Sequence, residues 1–315
     1  NHTTIMNTLK FIASRFLGAI PTLLVLICLA FLLVKSAPGG PFDMERSLPV
    51  EVEANLREAY NLDDPIHIQL LKYIGDILQG DFGPSFQYRD FSVTELIMAG
   101  FPVSLRLGVS AIIVALFFGS LIGTIAALRQ NTKTDYAVMF FGMVGISIPN
   151  FVMAPLLILF FSIFYGLLPA GGYNDGNPQN MILPVVSLAL PQIAYIARLT
   201  RGSMIEVLSS NFVRTAKAQG TSMRNIVFYH VLKPTFLPIV SYLGPATAAI
   251  ITGSVVVEQI FGLPGLGRYF VQGALNRDYT LVMGVVVFYG CLIISFNLLV
   301  DILYGFIDPK IRANR

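Results

Sequence analysis

Charge is scarce in this chain of 315 residues: only 12% are Asp, Glu, Lys or Arg. A soluble domain carries about a quarter. There is no tryptophan, and there are just two cysteines and three histidines. Cys28 and Cys291 both fall inside apolar runs, which fits neither a disulfide framework nor a metal cluster. His2, His67 and His230 are scattered without ligand spacing. No G-x-x-x-x-G-K-[ST] stretch occurs, so no phosphate-cradling loop is encoded, and an energy source from nucleotide must be another polypeptide. No nucleophile with a nearby acid–base pair stands out, so the chain is read as non-catalytic. The net charge of +3 is too small to argue for nucleic acid.

What the chain has in quantity is apolar sequence. Hydrophobic residues make up 55%, and the mean hydropathy is +0.69. This composition predicts an all-α polytopic membrane protein. A hydrocarbon core of about 30 Å needs about 20 apolar helical residues. Six stretches qualify: Phe16–Val34, Val103–Leu128, Tyr136–Tyr165, Met181–Leu199, Leu237–Val257 and Leu281–Phe306. Pro184 and Pro191 interrupt the fourth, which is tolerable where neighbours satisfy the freed carbonyls. The first run is too long for a cleavable signal and is expected to be retained.

Basic residues fix the expected orientation. Lys10, Arg15, Arg129, Lys133, Arg198, Arg201, Arg214, Lys217, Arg224, Lys233, Lys310, Arg312 and Arg315 all fall on one side of six spans. That side is expected to be the cytoplasm of a bacterial inner membrane, with both termini there. The other side is acidic. Between Pro38 and Phe101 there are eleven acids against four bases, a net of −7. Helical patterns at Pro49–Tyr60 and Pro65–Gln79 predict order in this segment. It serves as a solvated cap over the path, as a docking surface for an external partner, or as both. The expected layout is residues 1–35 for the N-terminus and first helix, 36–102 outside, 103–306 as the core with a cytoplasmic loop at 203–234, and 307–315 as a tail.

The connection from Ser203 to Pro238 is too structured for a turn. Ser203 with Glu206 has the pattern of a capping box. Ser210 or Asn211 can cap a helix over Phe212–Gln219, and Gly220 supplies the left-handed position that commonly ends one. Thr221 or Ser222 can cap a further helix from Met223 to Leu232, expected to stop before Pro234. Thr215, Ala216 and Ala218 are small enough for another backbone to approach. A helix of this kind is often only an interfacial element, but the glycine corner and small face favour a protein docking site.

Arg214-Thr215-Ala216-Lys217-Ala218-Gln219-Gly220, followed by His230-Val231-Leu232-Lys233-Pro234, resembles the cytoplasmic "EAA" loop of ABC importer permeases. Arg214 replaces that loop's usual glutamate, and Lys233-Pro234 departs from its general ending, as in the peptide and nickel branch. Ala37–Phe42, Gly80–Ser85, Arg201–Met204, Gly262–Gly267 and Asp308-Pro309-Lys310 extend the resemblance over nearly the whole chain, closest to the B-type permease of oligopeptide importers. It implies a type I ABC importer transmembrane fold, and a coupling helix seated in a cleft of an ATPase subunit. Carried over, the coupling residues are Phe212, Arg214, Thr215, Ala216, Lys217 and Gly220. The implied partners are a second, related permease, two ATPase subunits that bind ATP and Mg, and a periplasmic peptide-binding protein docking on the acidic segment and on Glu258–Thr280. No cofactor is expected in this chain itself, and its immediate surroundings are lipid and peptide substrate.

Arg106, Asp135, Arg198 and Asp301 are the main ionisable residues in or near the spans, and all sit towards span ends. Ion-coupled transporters place acids or histidines near the midplane. The transport path is therefore expected to be lined by neutral groups near helix-breaking prolines. The candidates are Asn150 beside Pro149, Gln192 and Tyr195 beside Pro191, and Thr247 and Thr252 beyond Pro245. The alternative is that these prolines and glycines simply permit close packing in lipid. A secondary transporter or channel without ATPases would explain the spans but not the helix–Gly–helix loop. Dipeptides, nickel or other small cargo are the alternative substrates. The glycine-rich Gly262–Gly267 stretch lacks a lysine and is read as a tight or partly re-entrant turn.

Overall fold

Where lipid replaces water, backbone N–H and C=O groups must be satisfied internally, so spanning segments must be helical. The computed structural model describes residues 2–36, 64–88 and 90–307, and every named element among them is a helix. In order these are α1 (His2–Ser36), α2 (Ile66–Leu78), α3 (Val93–Leu128), α4 (Lys133–Ser147), α5 (Asn150–Phe164), α6 (Pro178–Leu208), α7 (Asn211–Ala218), α8 (Met223–Phe261), α9 (Leu266–Leu275) and α10 (Tyr279–Ile307). The Ala37–Phe42 motif, the Pro49–Tyr60 pattern, the acids Glu51, Glu53 and Glu58, and Asp308-Pro309-Lys310 lie outside the described residues.

Five helices are long and apolar enough to cross a membrane, and α4 with α5 forms a sixth candidate bent by 106°. The bend falls at Ile148-Pro149, where the Pro149 ring disfavours helix at the residue before it; Ile148 is accordingly extended at ψ 116°. The bent pair nonetheless traverses its unit. Near its start Asp135 is bound to Arg201 of α6, while beyond its end the Gly171 carbonyl accepts from Asn180 of the same helix. Those two residues of α6 are separated by about 30 Å at 1.5 Å per residue.

Several expected boundaries move. Helix α3 begins at Val93, ten residues ahead of the expected Val103. The cause is a reciprocal cap: the Glu95 carboxylate accepts from the Ser92 N–H at 2.8 Å and the Ser92 Oγ accepts from the Glu95 N–H at 3.2 Å. Ser203 and Glu206 open no helix. They lie within α6, which runs unbroken to Leu208 because buried Thr200 and Met204 keep its inner face in register. The helix from Met223 does not stop before Pro234 but continues to Phe261. Pro234 lacks an N–H and crowds the carbonyl four residues back. The chain accommodates it by widening into π-helical turns over Ile226–Val231, immediately upstream.

The chain divides into two compact units. One contains Leu105–Leu263 and Ile293–Arg315 together with the first residues of the chain. In it α3 and α6 approach so closely that a Cβ on Gly123 would lie 2.4 Å from the Ala197 carbonyl oxygen, and one on Gly119 would lie 3.0 Å from that of Ile193. Only glycine permits this contact. The ordered residues at these contacts rise together along both helices, so α3 and α6 run parallel, as they must if one bent span joins them.

The other unit contains Phe16–Ser104 and Pro264–Leu292. Amphipathic α2, close to the expected Pro65–Gln79, buries Tyr73 against Phe31 of α1 and Met283 and Val287 of α10. Its polar centre is Asp278, which is fully buried. The Asp278 carboxylate accepts the Ser85 hydroxyl and the N–H groups of Phe86, Gln87 and Leu281. A buried carboxylate is tolerated only when its oxygens are this well supplied with donors. The contact fastens the Gly80–Ser85 motif to the turn between α9 and α10. Beside it Tyr88 donates its hydroxyl to Gln272; burial, with Tyr269 adding to it, pushes the Tyr88 phenol up, so it stays a donor.

Candidate coupling and translocation sites

The 209–222 connection is held by apolar burial on one side and left open on the other. Val213 of α7 is fully buried with Ala127 of α3, Met204 of α6, and Ile226, Val227 and Val231 of α8. This knob fixes how α7 lies across three helix ends. Phe212, Arg214, Thr215, Lys217 and Gly220 are exposed, and Ala216 is half-buried. Asn211, not Phe212, is the first helical residue, and Ser210 flanks it with extended backbone. The Ser210 hydroxyl does not cap the new helix; it donates back to the Val207 carbonyl at 2.6 Å.

Gly220 closes α7 with φ +79°. The Thr221 N–H donates to the Ala216 carbonyl at 3.1 Å and the Gly220 N–H to that of Lys217 at 3.0 Å. This is the paired closure that a left-handed residue after a helix makes. Ser222 then accepts from the Asn225 N–H at 3.4 Å and opens α8. The result is a short helix, a corner closed by two hydrogen bonds, and a long helix. The glycines at Gly262–Gly267 do similar work: Gly262 at φ +66° ends α8, with Leu263 donating to the Glu258 carbonyl at 2.9 Å. An ordinary helix, α9, follows from Leu266.

Next to this connection the Asp135 carboxylate, almost wholly buried, receives a bidentate fork from Arg201. It also accepts from the Asn131 N–H at 2.9 Å, which holds Asn131 left-handed at φ +62°. The start of α4, the α3–α4 turn and the end of α6 are thereby clasped together.

The exposed faces of this unit differ sharply in chemistry. On α3 the exposed residues from Val109 to Leu128 are Val109, Ile113, Phe117, Phe118, Leu121, Ile125 and Leu128, all apolar. The α5 face carries Phe151, Val152, Leu156, Leu159, Phe160 and Phe161. These apolar faces suit lipid or an apolar protein neighbour. On α6 the exposed residues Arg198, Gly202 and Glu206 continue a line from half-buried Pro191 and Tyr195, and on α8 the exposed stripe is Ser241, Pro245, Ala249, Thr252, Val256 and Gln259. Each follows helical spacing. The Tyr195 and Tyr242 rings stack at 4.1 Å between centroids and join the two stripes. Polar and ionic groups facing hydrocarbon are costly, so this face suits a hydrated path or a protein neighbour.

Tyr195 and Thr252 lie on that face. Gln192 and Thr247 are buried between helices: Gln192 accepts the Tyr242 hydroxyl at 2.7 Å, and Thr247 donates to the Leu243 carbonyl. Asn150 packs against Gly253, and its Oδ1 is buried without a hydrogen-bond partner among the described residues. The structure therefore brings Gln192 and Tyr195 together through Tyr242, and sets Asn150 apart with Gly253. Tyr242 was not among the residues the sequence singled out, although its spacing from Pro245 and Thr252 placed it on the same face.

A protein-family model described as the binding-protein-dependent transport system inner membrane component matches residues 119–313. The chain belongs to this family. The matched region runs from the close contact of α3 with α6 through the α7 corner and α8 into the C-terminal tail. This binding-protein-dependent transport component is 54% identical over 304 residues to the oligopeptide transport system permease protein OppB of Haemophilus influenzae, covering 96% of this chain and 99% of that one. It is 56% identical to OppB of Salmonella typhimurium over the same shares. It is 44% identical over 306 residues to the dipeptide transport system permease protein DppB of Bacillus subtilis, covering 97% and 99%. A solved structure, titled as the crystal structure of an amino acid ABC transporter with histidines, matches with a TM-score of 0.51 at 20% identity. It covers 67% of this chain and 94% of that chain, and establishes a shared fold. The helical architecture of this family member is thus the type I importer fold.

Proposed function

We propose that this chain is the permease subunit of an ATP-driven importer and forms half of a path for peptides, with oligopeptides as the main cargo. The near full-length identity to oligopeptide permeases carries this reading. Arg129, Lys133, Arg201, Arg214, Lys217 and Arg224 gather at the end of the unit that holds α7, and the excess of basic residues makes that end cytoplasmic. Both termini lie on the same side.

In this reading α7 docks on an ATPase subunit through Phe212, Arg214, Thr215, Ala216 and Lys217. Val213 and the Gly220 corner pass ATPase closure into α8. The polar stripes of α6 and α8 face the peptide, and a second, related permease supplies the other half of the path. Two ATPase subunits bind ATP and Mg, and an external peptide-binding protein delivers the cargo. The chain itself breaks no covalent bond.

The test is reconstitution of the chain with a second permease and two ATPase subunits of the same transport system, in liposomes with the binding protein outside. Peptide uptake that needs lumenal ATP is expected. Uptake by this polypeptide alone without ATP, or recovery of the chain from its native membrane without ATPases, would overturn the assignment.

A further inference from the structure

The polar face holds one cluster whose hydrogen-bonding capacity is mostly unspent. The Arg198 guanidinium lies 5.3 Å from the centroid of Tyr195, which stacks on Tyr242. The Tyr242 hydroxyl donates to Gln192 Oε1. That bond fixes the orientation of the Tyr242 ring. Among the described residues, neither Arg198 nor Gln192 Nε2 donates a hydrogen bond. Arg198 is exposed, three residues from Arg201, whose own charge is consumed by Asp135. The nearest acid on the stripe is Glu206, two helical turns further on.

A planar cation resting on an aromatic shelf matches a carboxylate. In a mixed peptide population the side chains vary while the terminal carboxylate is constant. We infer that Arg198, with Tyr195, Tyr242 and Gln192 holding it in place, receives the C-terminal carboxylate of the peptide near the cytoplasmic end of the path. This rests on the polar face belonging to the transport path. Tyr195 and Tyr242 act as a shelf, buried Gln192 orients Tyr242, and Arg198 supplies the charge.

The experiment compares uptake of one peptide as the free acid and as the C-terminal amide in the reconstituted assembly, with the same binding protein throughout. For the wild-type chain the ratio of acid to amide uptake is set by binding protein and permease together. In Arg198→Gln it is expected to fall at least about tenfold, through loss of a charge-assisted pair. Arg198→Lys is expected to recover part of it. Blocking the N-terminus should leave the change in ratio unaltered. Equal losses for acid and amide, no loss for either, or full recovery on adding anionic lipid would overturn the carboxylate assignment. A second measurement needs no change at Arg198. With Cys28 and Cys291 replaced by serine, Tyr195→Cys is expected to capture a peptide carrying a thiol-reactive group at its C-terminal residue in preference to one carrying it at its N-terminus; equal capture counts against the assignment. Thr252→Cys reports on the path alone: if water-soluble thiol reagents never reach it, the path reading fails, whatever the acid-to-amide ratio does.

Discussion

Arg201 grips Asp135 across 66 positions of sequence with two parallel hydrogen bonds, one from Nε to Oδ1 at 2.5 Å and one from Nη2 to Oδ2 at 2.7 Å. Only 1% of the Asp135 side chain is exposed, against 25% of Arg201. Both residues sit beside the α7 connection, so the clasp stiffens the helix ends against which α7 rests. Removing Asp135 leaves the Arg201 guanidinium, still a quarter exposed, without its partner, a loss of about 1–3 kcal/mol. Asp135→Ala is expected to cost that much in equilibrium unfolding in mixed micelles. Asp135→Ala combined with Arg201→Met should cost less than the single change. A single variant within about 1 kcal/mol of wild type would reduce the clasp to a surface pair.

The Gly220 corner makes a different demand. A Cβ there would meet nothing within 4 Å, so space is not the constraint; φ +79° is. An L-residue held in that region costs about 1–2 kcal/mol, and a β-branched one more. Gly220→Val is expected to leave insertion intact, keep ATP hydrolysis running, and lose peptide uptake. Gly220→Asn, which tolerates the left-handed region better, should retain most uptake. Parallel ATPase and transport assays decide it, and normal transport by the valine variant would remove the corner from the coupling mechanism.

Much of this was legible in the sequence because it depends on local chemistry. Spans follow from apolar length, and the Gly220 corner and Ser222 cap follow from residue type at helix ends. Other features depend on contacts between distant segments. The Pro234 stop failed because π-helical turns upstream absorb the proline, and Ser203 with Glu206 had the pattern of a cap inside a helix already committed by Met204. The Ser92–Glu95 cap was equally local and was legible, yet the longer apolar run beginning at Val103 drew the boundary. Asp278 gave no such signal, and Tyr242 gave only its helical spacing from Pro245 and Thr252. A single buried aspartate at a span end looks interfacial until Ser85, 193 residues away, is placed against it.

Helix contact in the larger unit depends on glycines that could be mistaken for flexible points. At Gly123 the obstacle to any side chain is the Ala197 backbone carbonyl, which cannot rotate away. Gly123→Ala is therefore expected to destabilise by about 1–3 kcal/mol, the usual range for overpacking. Gly75 of α2 has open space around its missing Cβ. Gly75→Ala should be stabilising by up to about 1 kcal/mol, through helix propensity alone. Comparing the two by unfolding in the same detergent separates packing from propensity. Similar outcomes for both would mean that α3 and α6 are not in the contact described.

The Asp278 centre offers the sharpest dissection of a buried charge in this chain. Its carboxylate is the acceptor for two hydroxyls, of Ser85 and Thr280, and three backbone N–H groups, and two of those N–H groups, on Phe86 and Gln87, belong to a loop with little other backbone pairing. Asp278→Ala leaves each donor to find water or go unmet, at about 1–3 kcal/mol for every one that stays buried. Asp278→Asn retains the shape but not the charge and should fall between alanine and wild type. Ser85→Ala removes one donor and leaves the carboxylate satisfied by the other four, losing in addition only the acceptor of the Tyr88 N–H, so it should cost least. Amide exchange at Phe86 and Gln87, whose N–H groups the carboxylate accepts, reads the effect where it occurs. The exchange rate is expected to rise in the order Ser85→Ala, Asp278→Asn, Asp278→Ala, with α6 and α8 unaffected. If Ser85→Ala instead loosened the loop as much as Asp278→Ala, the hydroxyl rather than the carboxylate would be what holds the Gly80–Ser85 motif in place.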